Sequence, residues 1–438
     1  MAGGTFTGYN KTRPGLYMNF VSAAQNRIAT GERGTVLLPL ELDWGAPDQL
    51  ITIETEQDFA SKLGYNMTDE RVFPVKEAKK RALTVLVSRL NGDGVKASGS
   101  WGEGSTATAK HPGIRGNAIR VSVGPNIVDE TSKDVRTYVD AALVDEQTIS
   151  SPSDIKPNDW ADFAFTALPA DTAGTQLEGG TNSTVTNQSY VEFLATAEKE
   201  FFDVVGFPVN DDAAKEMFVS FIKRMRDQEG KRIVGVVPRY SADHEGIINV
   251  ANAVEIDGRQ LTPLEAVYWV AGASAGAQIT DSNTYAVYDG ATDAVPRMIN
   301  SEIVAALKSG EFIFVNDGDR IKVEQDINSL VNPREKQNDR FKKNRVIRVL
   351  DAISNDFRRE FSTNYIGKVD NNGDGQTNLK AGMVGYMKVF QGEGAIQNFV
   401  PDDVFIDPVN SVGDQVVAGI AVQPVDSMEK IYITVEVI

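Results

Sequence analysis

One long interruption in the chain's succession of helices and strands limits the possible folds more than any other feature. Up to about Asn91, the stretches "TVLLPLEL", "TEQDFASKLG", "VKEAKKR" and "LTVLVSRL" predict strand, helix, helix and strand. From there to about Gly180, short alternating stretches such as "STATAK" and "NAIRVSV" lie between turn sequences such as "NGDG" and "HPG". The earlier rhythm then resumes with a helix in "SYVEFLATAEKE" and a strand in "FFDVVGFP". We therefore predict an all-β domain inserted into an α/β domain.

A third domain is predicted after the pattern breaks at Asn332 and Pro333. Apolar residues recur there at helical spacing, which predicts a long amphipathic helix from about Asn344 to Phe361. The residues of this stripe are Val346, Val349, Leu350, Ile353, Phe357 and Phe361. The predicted fold class is α+β and multidomain: an α/β sandwich domain, an inserted all-β, barrel-like domain, and a C-terminal α+β domain that carries extended terminal arms.

Shifts in composition and turn-rich stretches set the domain boundaries. Inside the second α/β part, Gly310 ends a predicted helix, and "NDG" predicts the turn of a hairpin. The predicted domains are an N-terminal arm at 1–20, an α/β domain at 21–91 and 181–332, an inserted β domain at 92–180, a C-terminal α+β domain at 333–429, and a C-terminal arm strand at 430–438.

The composition argues against several classes of function. A net charge of −17 at pH 7 repels phosphate backbones, so nucleic acid is not expected as a partner. No apolar segment reaches roughly 20 residues, the length that spans a bilayer, so membrane anchoring is not expected either. Cysteine is absent and histidine occurs only at His111 and His244, which leaves few groups for metal sites or nucleophilic catalysis. We predict no cofactor, no metal site and no catalytic residue.

One motif suggests an esterase. Gly272, Ser274 and Gly276 have the G-x-S-x-G spacing of a nucleophile elbow, which requires a strand, a strained turn and a helix. Upstream, Thr262 and Glu265 instead predict a capping box, so that the serine lies in the last turns of a helix. Both histidines also precede the serine, against the chain order of that fold class. The chain is therefore not expected to be an enzyme, and the small residues are expected to let another element pack closely.

The stretch "VDNNGDGQTN" matches half of a calcium-binding loop. Asp370, Asn372, Asp374 and Gly375 fit its first half, whose oxygen atoms would coordinate a hard cation. Position twelve, where a bidentate glutamate is needed, is Ala381, and the flanking sequences do not predict two clear helices. Asn, Gly and Asp are also the residues that tight turns prefer. A solvated turn is favoured over a cation site.

Basic residues are concentrated in one part of this acidic chain. Between Pro333 and Phe361, nine basic residues stand against five acidic ones. Two interpretations are open: a solvated helix face, or a surface for an acidic protein partner.

Both ends of the chain predict strands with apolar residues on both faces. Each lies beyond turn-prone sequence, so it either docks in its own sheet or adds to the sheet of a neighbouring subunit. The residues alone leave both possibilities open. The strand residues are Arg13, Pro14, Leu16, Tyr17, Met18 and Phe20 at the start, and Lys430, Ile431, Ile433, Val435 and Val437 at the end.

Several long segments are more specific than these short motifs. They are "NKTRPGLYMNFVS", "HPGIRGNAIRVSV", "TPLEAVYWVAGASAGAQITDSNTYAVYDGA", "NSEIVAALKSGEFIFVNDGDRIKVEQDINSL", "NRVIRVLDAISNDF" with "NYIGKV", and "AVQPVDSMEKIYITVEV". In these segments the sequence resembles the sheath proteins of contractile bacteriophage tails, especially those of Gram-positive phages, prophages and phage-tail-like particles. The resemblance runs over nearly the whole chain, and the β domain is its least distinctive part.

The resemblance implies a structural subunit that polymerises as stacked hexameric rings in a helical sheath. The sheath would surround a tail tube and contract to drive it through the host cell envelope, powered by a metastable extended form rather than a nucleotide. In that family terminal arms add strands to neighbouring subunits, which favours strand lending here. The implied partners are other copies of this chain, the tail tube protein, and baseplate and tail terminator proteins. The implied location is the virion tail, after assembly in the host cytoplasm.

One expectation depends on this resemblance, and one alternative to it remains. The resemblance makes the basic helix from about Asn344 to Phe361 a candidate for facing the tube, with Lys342, Lys343, Arg345 and Arg348 as the candidate residues. An alternative class remains, another self-assembling array protein such as a surface-layer subunit, which the acidic composition and the turn at Asp370 favour. Assembly that is sensitive to chelators would support that class, and the absence of a secretion signal weighs against it.

Overall fold

The computed structural model describes two short N-terminal strands, as backbone only, and residues 33–437. The strands are β1 (Ala2–Gly4) and β2 (Gly15–Tyr17), which pair in parallel. Of the predicted N-terminal arm residues, Leu16 and Tyr17 lie in β2, and the other four, Arg13, Pro14, Met18 and Phe20, lie outside the described residues.

The described chain divides into two compact units. We call them the large unit, which comprises Gly31–Asn355 and Pro424–Ile438, and the small unit, which comprises Asp356–Gln423 and the two N-terminal strands. Both α-helices and several β-sheets are present, as the predicted multidomain α+β class requires. No helix in the described part of the chain is both long enough and apolar enough to cross a bilayer.

Residues 33–90 form the first part of the large unit's central sheet. The capping box predicted at Thr55 and Asp58 starts the first helix, because the Asp58 carboxylate accepts the Thr55 backbone N–H at 2.7 Å. The elements are β3 (Thr35–Leu40), β4 (Ile51–Ile53), α1 (Glu56–Leu63), α2 (Phe73–Lys79) and β5 (Thr84–Arg89).

The next part of the chain is all-β, as predicted. Its strands are β6 (Ser98–Trp101), β7 (Ser105–Ala109), β8 (Ile119–Pro125), β9 (Lys133–Val139), β10 (Ala142–Ile149), β11 (Ala161–Phe165) and β12 (Thr172–Gln176). They form two antiparallel sheets, in the orders β10-β9-β8-β12 and β11-β7-β6. An isolated bridge between Ser98 and Glu178 links the two sheets at one edge. Alternate residues of β7 and β8 are buried, which is the period-2 pattern of strands with one face in a core.

Helices and strands alternate again after the β domain. The elements are α3 (Asn187–Lys199), β13 (Val204–Gly206), α4 (Asp212–Asp227), β14 (Val234–Pro238), β15 (Ile247–Val250), β16 (Ala253–Ile256), β17 (Arg259–Gln260), α5 (Pro263–Gly276), β18 (Ala291–Val295), α6 (Asn300–Lys308), β19 (Glu311–Phe312), β20 (Phe314–Asn316) and β21 (Ile321–Val323). Gly310 follows α6 with φ of +71°, a left-handed conformation that glycine adopts without strain. The predicted hairpin is present as the antiparallel pair β20 and β21.

The central sheet of the large unit has seven strands in the order β19-β15-β14-β13-β3-β5-β4. All neighbours pair in parallel except β4, which is antiparallel at one edge. Successive residues of β3 belong to opposite cores: Leu38 packs in a cluster with α5, and Leu37 in a cluster with α3 and α4. The sheet is therefore covered by helices on both faces, which explains why its strands are short apolar runs rather than alternating sequences.

The small unit follows a helix that begins in the large unit. The remaining elements are α7 (Asn344–Asn364), α8 (Gly373–Gly392), β22 (Val404–Ile406) and β23 (Ala418–Ile420). Helix α7 is the predicted amphipathic helix, and its residues up to Asn355 belong to the large unit. In the small unit Phe357 contacts both Phe361 and Tyr386, and Tyr386 contacts Phe390, with ring centroids 4.5–5.0 Å apart. These aromatic contacts hold α8 against the second half of α7.

Candidate assembly interface

Residues 430–437 expose apolar side chains and join no sheet of the described residues. Residues 430–437 are all exposed, and the exposed fraction reaches 92% at Val437. No backbone hydrogen bond from this segment to another described residue is present, and the segment forms no strand within the described chain. Isolated exposed apolar residues are common on proteins, but a continuous run of them at a strand's period marks a contact surface.

The segment before this arm is held by one carboxylate. The Glu429 side chain is 12% exposed, and its Oε1 accepts the Thr284 hydroxyl at 2.8 Å. Its Oε2 accepts the Gln325 amide at 2.6 Å and forms an ion pair with Lys343. Sequence analysis missed this residue, because a lone glutamate in "VDSMEK" belongs to no pattern.

A second open surface lies in the small unit. Strands β22 and β23 form an antiparallel pair of three residues each, and no third described strand joins them. Phe405 of β22 is 57% exposed, and it lies opposite Gly419 of β23 in the register of the pair. A two-stranded sheet is marginally stable by itself, and its two outer edges present unpaired backbone groups.

The structure corrects the surface placement of one predicted basic residue. Arg348 is 3% exposed, donates to the Asp281 carbonyl oxygen at 2.7 Å and lies 3.5 Å from the Asp326 carboxylate. Burial lowers the pKa of its guanidinium below the ordinary value. Arg348 therefore cannot face a separate protein in this conformation. The helical pattern did not reveal this burial, because the first turns of α7 pack against other elements of the large unit on a second side.

The other three predicted basic residues have different environments. Lys343 is paired with Glu429, and Lys342 lies 2.9 Å from Asp339. Arg345 is partly buried, makes no hydrogen bond or ion pair with another described residue, and lines a cavity of about 630 Å³. Three exposed basic residues of the segment, Arg334, Lys336 and Arg340, precede the helix, and the two exposed ones within it, Arg358 and Arg359, lie in the small unit.

Ser274 does not lie on a nucleophile elbow. It occupies the last turns of α5 and is 5% exposed, and Thr262 caps this helix by accepting the Glu265 N–H, as predicted. A Cβ added at Gly272 would overlap the carbonyl oxygen of Ala78, and one added at Gly276 would overlap that of Arg81. The G-x-S-x-G spacing thus results from close packing of α5 on the backbone of α2 and its C-terminal extension.

The calcium-like stretch has a different surrounding from the predicted one. Two helices do flank it, because α7 ends at Asn364 and α8 begins at Gly373. Asn372 is the N-cap of α8, and its Oδ1 accepts the Gly375 N–H at 2.9 Å. The expectation of unclear flanks was wrong since two glycines conceal the first turn of α8. Because α8 already begins at Gly373, which is loop position four, the 12-residue loop of a calcium site does not form.

One other cluster has candidate metal ligands. Atoms of Asp227, His244 and Glu245 lie within 4.8 Å of one another, and neither the His244 Nε2 nor the Glu245 Oε2 has a hydrogen-bond partner among the described residues. The Gly246 N–H donates to the His244 Nδ1 at 3.0 Å, so the neutral ring carries its proton on Nε2. Burial lowers the pKa of His244, which keeps it neutral. A metal would need the lone pair that this proton occupies, so the donor set does not fit one.

Four phage tail sheath family models match successive parts of the chain. The Gp18 domain III N-terminal region matches residues 33–90, the beta-sandwich domain 81–182, the central domain 183–329 and the C-terminal domain 336–438. The beta-sandwich match covers the two antiparallel sheets of the all-β domain. These matches cover nearly all of the described residues.

One relative and two solved structures match nearly the whole chain, and a second relative matches part of it. The phage-like element PBSX protein XkdK of Bacillus subtilis is 40% identical, and the match covers all of both chains. The tail sheath protein of Clostridium phage phiCD119 is 28% identical over 44% of this chain and 54% of its own length. The sheath tail proteins of Desulfitobacterium hafniense and Listeria innocua are 45% and 40% identical, with TM-scores of 0.83 and 0.82. They cover 96% and 93% of this chain, and 99% and 95% of their own.

A more distant likeness shows the fold alone. The helical sheath of the anti-feeding prophage in its contracted state is 11% identical, with a TM-score of 0.59 over 97% of this chain and 99% of that chain.

The family models match consecutive segments, and relatives of at least 40% identity match the whole chain. The chain therefore belongs to the phage tail sheath protein family.

Proposed function

We propose that the chain polymerises as stacked hexameric rings around a tail tube and contracts to drive the tube through the host cell envelope. Its role as a structural sheath subunit of the virion tail follows from the family. The single observation that carries the proposal is the exposed C-terminal arm, residues 430–437, which alternates apolar residues and has no strand partner within the described chain. The further partners are the tube protein and the baseplate and terminator proteins, and assembly takes place in the host cytoplasm.

Among the described residues, the arm has no strand partner, and the small unit has a sheet with two open edges. A lent strand gains main-chain hydrogen bonds when it adds to an exposed sheet edge, and its side chains gain contacts on either face. The pair β22 and β23 offers two such edges and the exposed ring of Phe405. We propose that this pair receives arm strands from neighbouring subunits, with the N-terminal residues Arg13 to Phe20 as the second arm.

Removing the arm is expected to abolish polymerisation. A chain that lacks residues 430–438 loses a whole intersubunit strand, so tubes or rings seen for the full-length chain by negative-stain electron microscopy should be absent. Because these residues make few contacts within their own subunit, the circular dichroism spectrum should not change. A variant that lacks residues 1–20 as well should behave in the same way.

A length-matched control isolates the strand from the mere presence of a tail. In it, residues 430–438 are replaced by a glycine and serine sequence of equal length, which is flexible and weak as a strand. This variant should also fail to polymerise. Polymers that persist in both variants would contradict the proposal that the arm joins subunits.

The tube-facing surface is better tested at the basic residues that are exposed. We propose Arg334, Lys336 and Arg340 for this role, together with Lys342 from the original prediction. Replacing the first three with glutamate should weaken assembly on isolated tail tubes, measured by co-sedimentation, and the loss should be larger at low salt, where surface charges act over longer distances. Self-polymerisation without tubes should be unchanged.

A second charge-reversal variant provides the control for this experiment. Lys156, Lys308 and Arg320 are also exposed, and replacing them with glutamate changes the net charge by the same amount. Tube binding should survive in that variant. Equal loss of tube binding in both variants would mean that total charge matters, and the proposed surface would be rejected.

A further inference from the structure

The root of the C-terminal arm is fastened to the large unit by an unusually well-satisfied carboxylate. Thr284, Gln325 and Lys343 come from three separate segments and converge on Glu429. The Ser427 hydroxyl adds a longer contact to Oε1 at 3.4 Å. One residue further along, at Lys430, the chain is exposed, and it stays so to its last described residue. The fixed and the exposed parts of the arm therefore meet at one side chain.

The same cluster continues to the start of helix α7. Thr284, which donates to Glu429, also accepts the Asp326 N–H at 2.9 Å. The Asp326 carboxylate accepts the side-chain amide of Asn344, the first residue of α7, at 2.8 Å. Lys343, which pairs with Glu429, immediately precedes that helix. A pull on the arm would thus act on the residues that fix the beginning of α7.

The electrostatics of the site favour a charged carboxylate. Burial alone would raise the pKa of Glu429, but hydrogen bonds from Lys343, Gln325 and Thr284 outweigh it and lower the pKa below its ordinary value. The adjoining cavity adds the charged groups of Lys80, Arg81, Asp281 and Arg345. Because the pKa is depressed in the folded chain, the stabilisation is present at neutral pH and is lost as the pH falls through the lowered pKa.

We propose that Glu429 is the positioning residue of the C-terminal arm, which anchors the arm to the start of α7 through Lys343 and Thr284. This inference rests on the proposed function, since an arm that is lent to a neighbour needs a fixed starting point. With the root fixed, only the residues after Glu429 can extend, so the distance to the neighbour is limited by their length. Without the anchor, the slack would include the residues back to Pro424.

A distance measurement tests the anchor directly. The chain has no cysteine, so two introduced cysteines can carry spin labels without background. We would place them at Lys430, just after the anchor, and at Lys308, an exposed residue at the end of α6, in the full-length chain diluted into an excess of unlabelled chain. The parent should give one narrow distance distribution by pulsed electron paramagnetic resonance. Glu429→Ala should broaden it several-fold.

Two further variants separate positioning from a general loss of structure. Glu436→Ala removes an exposed carboxylate of the same arm and should leave the distribution narrow. Lys343→Met removes the main cation and should therefore raise the pKa of Glu429. The pH at which the distance distribution broadens, because the arm root is released, should then be higher than in the parent. A purely structural role would not produce this shift. If Glu429→Ala does not fold, the pH shift in Lys343→Met decides the question alone.

The outcomes distinguish this inference from the proposed function. A narrow distribution in Glu429→Ala, or an unchanged release pH in Lys343→Met, would overturn the anchor even if deletion of residues 430–438 abolishes polymers. A broad distribution and a raised release pH would support the anchor. If the deletion leaves polymers intact, the strand-lending proposal fails, and the distance measurement still decides whether Glu429 holds the arm root.

Discussion

Replacing Asp351 with alanine is expected to lower the free energy of unfolding of the large unit by about 3–5 kcal/mol, because the buried Arg226 would lose its counter-charge. The pair is bidentate, with Nη1 to Oδ2 at 2.7 Å and Nη2 to Oδ1 at 2.8 Å, and the two side chains are 2% and 6% exposed. Burial alone would lower the pKa of Arg226, but the adjacent Asp351 raises it above the ordinary value. The guanidinium therefore stays charged, and solvent cannot replace the lost partner.

Tryptophan fluorescence during urea unfolding measures this effect in the relevant unit. All four tryptophans, Trp44, Trp101, Trp160 and Trp269, lie in the large unit. Asp339→Ala is the matched control, because that carboxylate is 86% exposed, and loss of its pair with Lys342 should change the unfolding free energy by less than about 1 kcal/mol. A change of similar size in both variants would contradict the prediction.

A double variant tests why breaking this pair is costly: because one buried charge is left unpaired, or because the intact pair is itself strongly stabilising. Replacing both partners with apolar residues, Arg226→Met and Asp351→Leu together, removes the cost of keeping two charges out of water. We expect this double variant to be clearly more stable than Asp351→Ala alone. Its stability would show that the single substitution is costly because it leaves one charge unpaired.

Sequence patterns predicted those elements whose stabilising contacts are local. The capping boxes at Thr55 and Thr262, the glycine that ends α6 at Gly310, and the hairpin of β20 and β21 involve residues a few positions apart. The alternation of helices and strands predicted the central sheet for a similar reason. The spacing of apolar residues along each element depends on whether one or two of its faces are buried. These features could be found without knowing the tertiary structure.

Long-range polar contacts could not be found in this way. Arg226 and Asp351 are 125 residues apart on separate helices, and neither helix's pattern indicates that these charged residues are buried. Arg348 was assigned to the surface for the same reason, although it is buried beside Asp326. A charged residue in an amphipathic pattern suggests exposure to solvent. Only the packing of a second element against the helix shows that the residue is buried.

For the terminal arms, the sequence predicts a strand but not the sheet that the strand joins. The alternation of Ile431, Ile433, Val435 and Val437 is a strand pattern, but the described chain supplies no partner for it. The backbone N–H and C=O groups of a strand bond to a neighbouring strand. When a strand is lent in an assembly, that neighbouring strand belongs to another molecule. The pattern therefore predicts the conformation that the arm needs and cannot identify the sheet that receives it.

Replacing Gly272 with valine is expected to lower the unfolding free energy of the large unit by about 3 kcal/mol or more, and with alanine by about 1–3 kcal/mol, the usual cost of overpacking. The added Cβ would overlap the backbone carbonyl oxygen of Ala78, and a backbone atom cannot rotate away as a side chain could. Helix propensity predicts the opposite sign, since alanine is favoured over glycine inside a helix by roughly 1 kcal/mol. The sign of the measured change therefore decides between close packing of α5 on α2 and a glycine that is there by chance.

Two controls complete the experiment, which uses tryptophan fluorescence and circular dichroism. Ser274→Ala, in the same turns of α5, should change stability by less than about 1 kcal/mol, since the Ser274 hydroxyl makes no hydrogen bond to a described residue. Gly385→Ala in α8 places a Cβ in open space and should be neutral or slightly stabilising. If Gly272→Ala proves as stable as Gly385→Ala, the two helices are not held at the distance that glycine permits, and the G-x-S-x-G spacing would need another explanation.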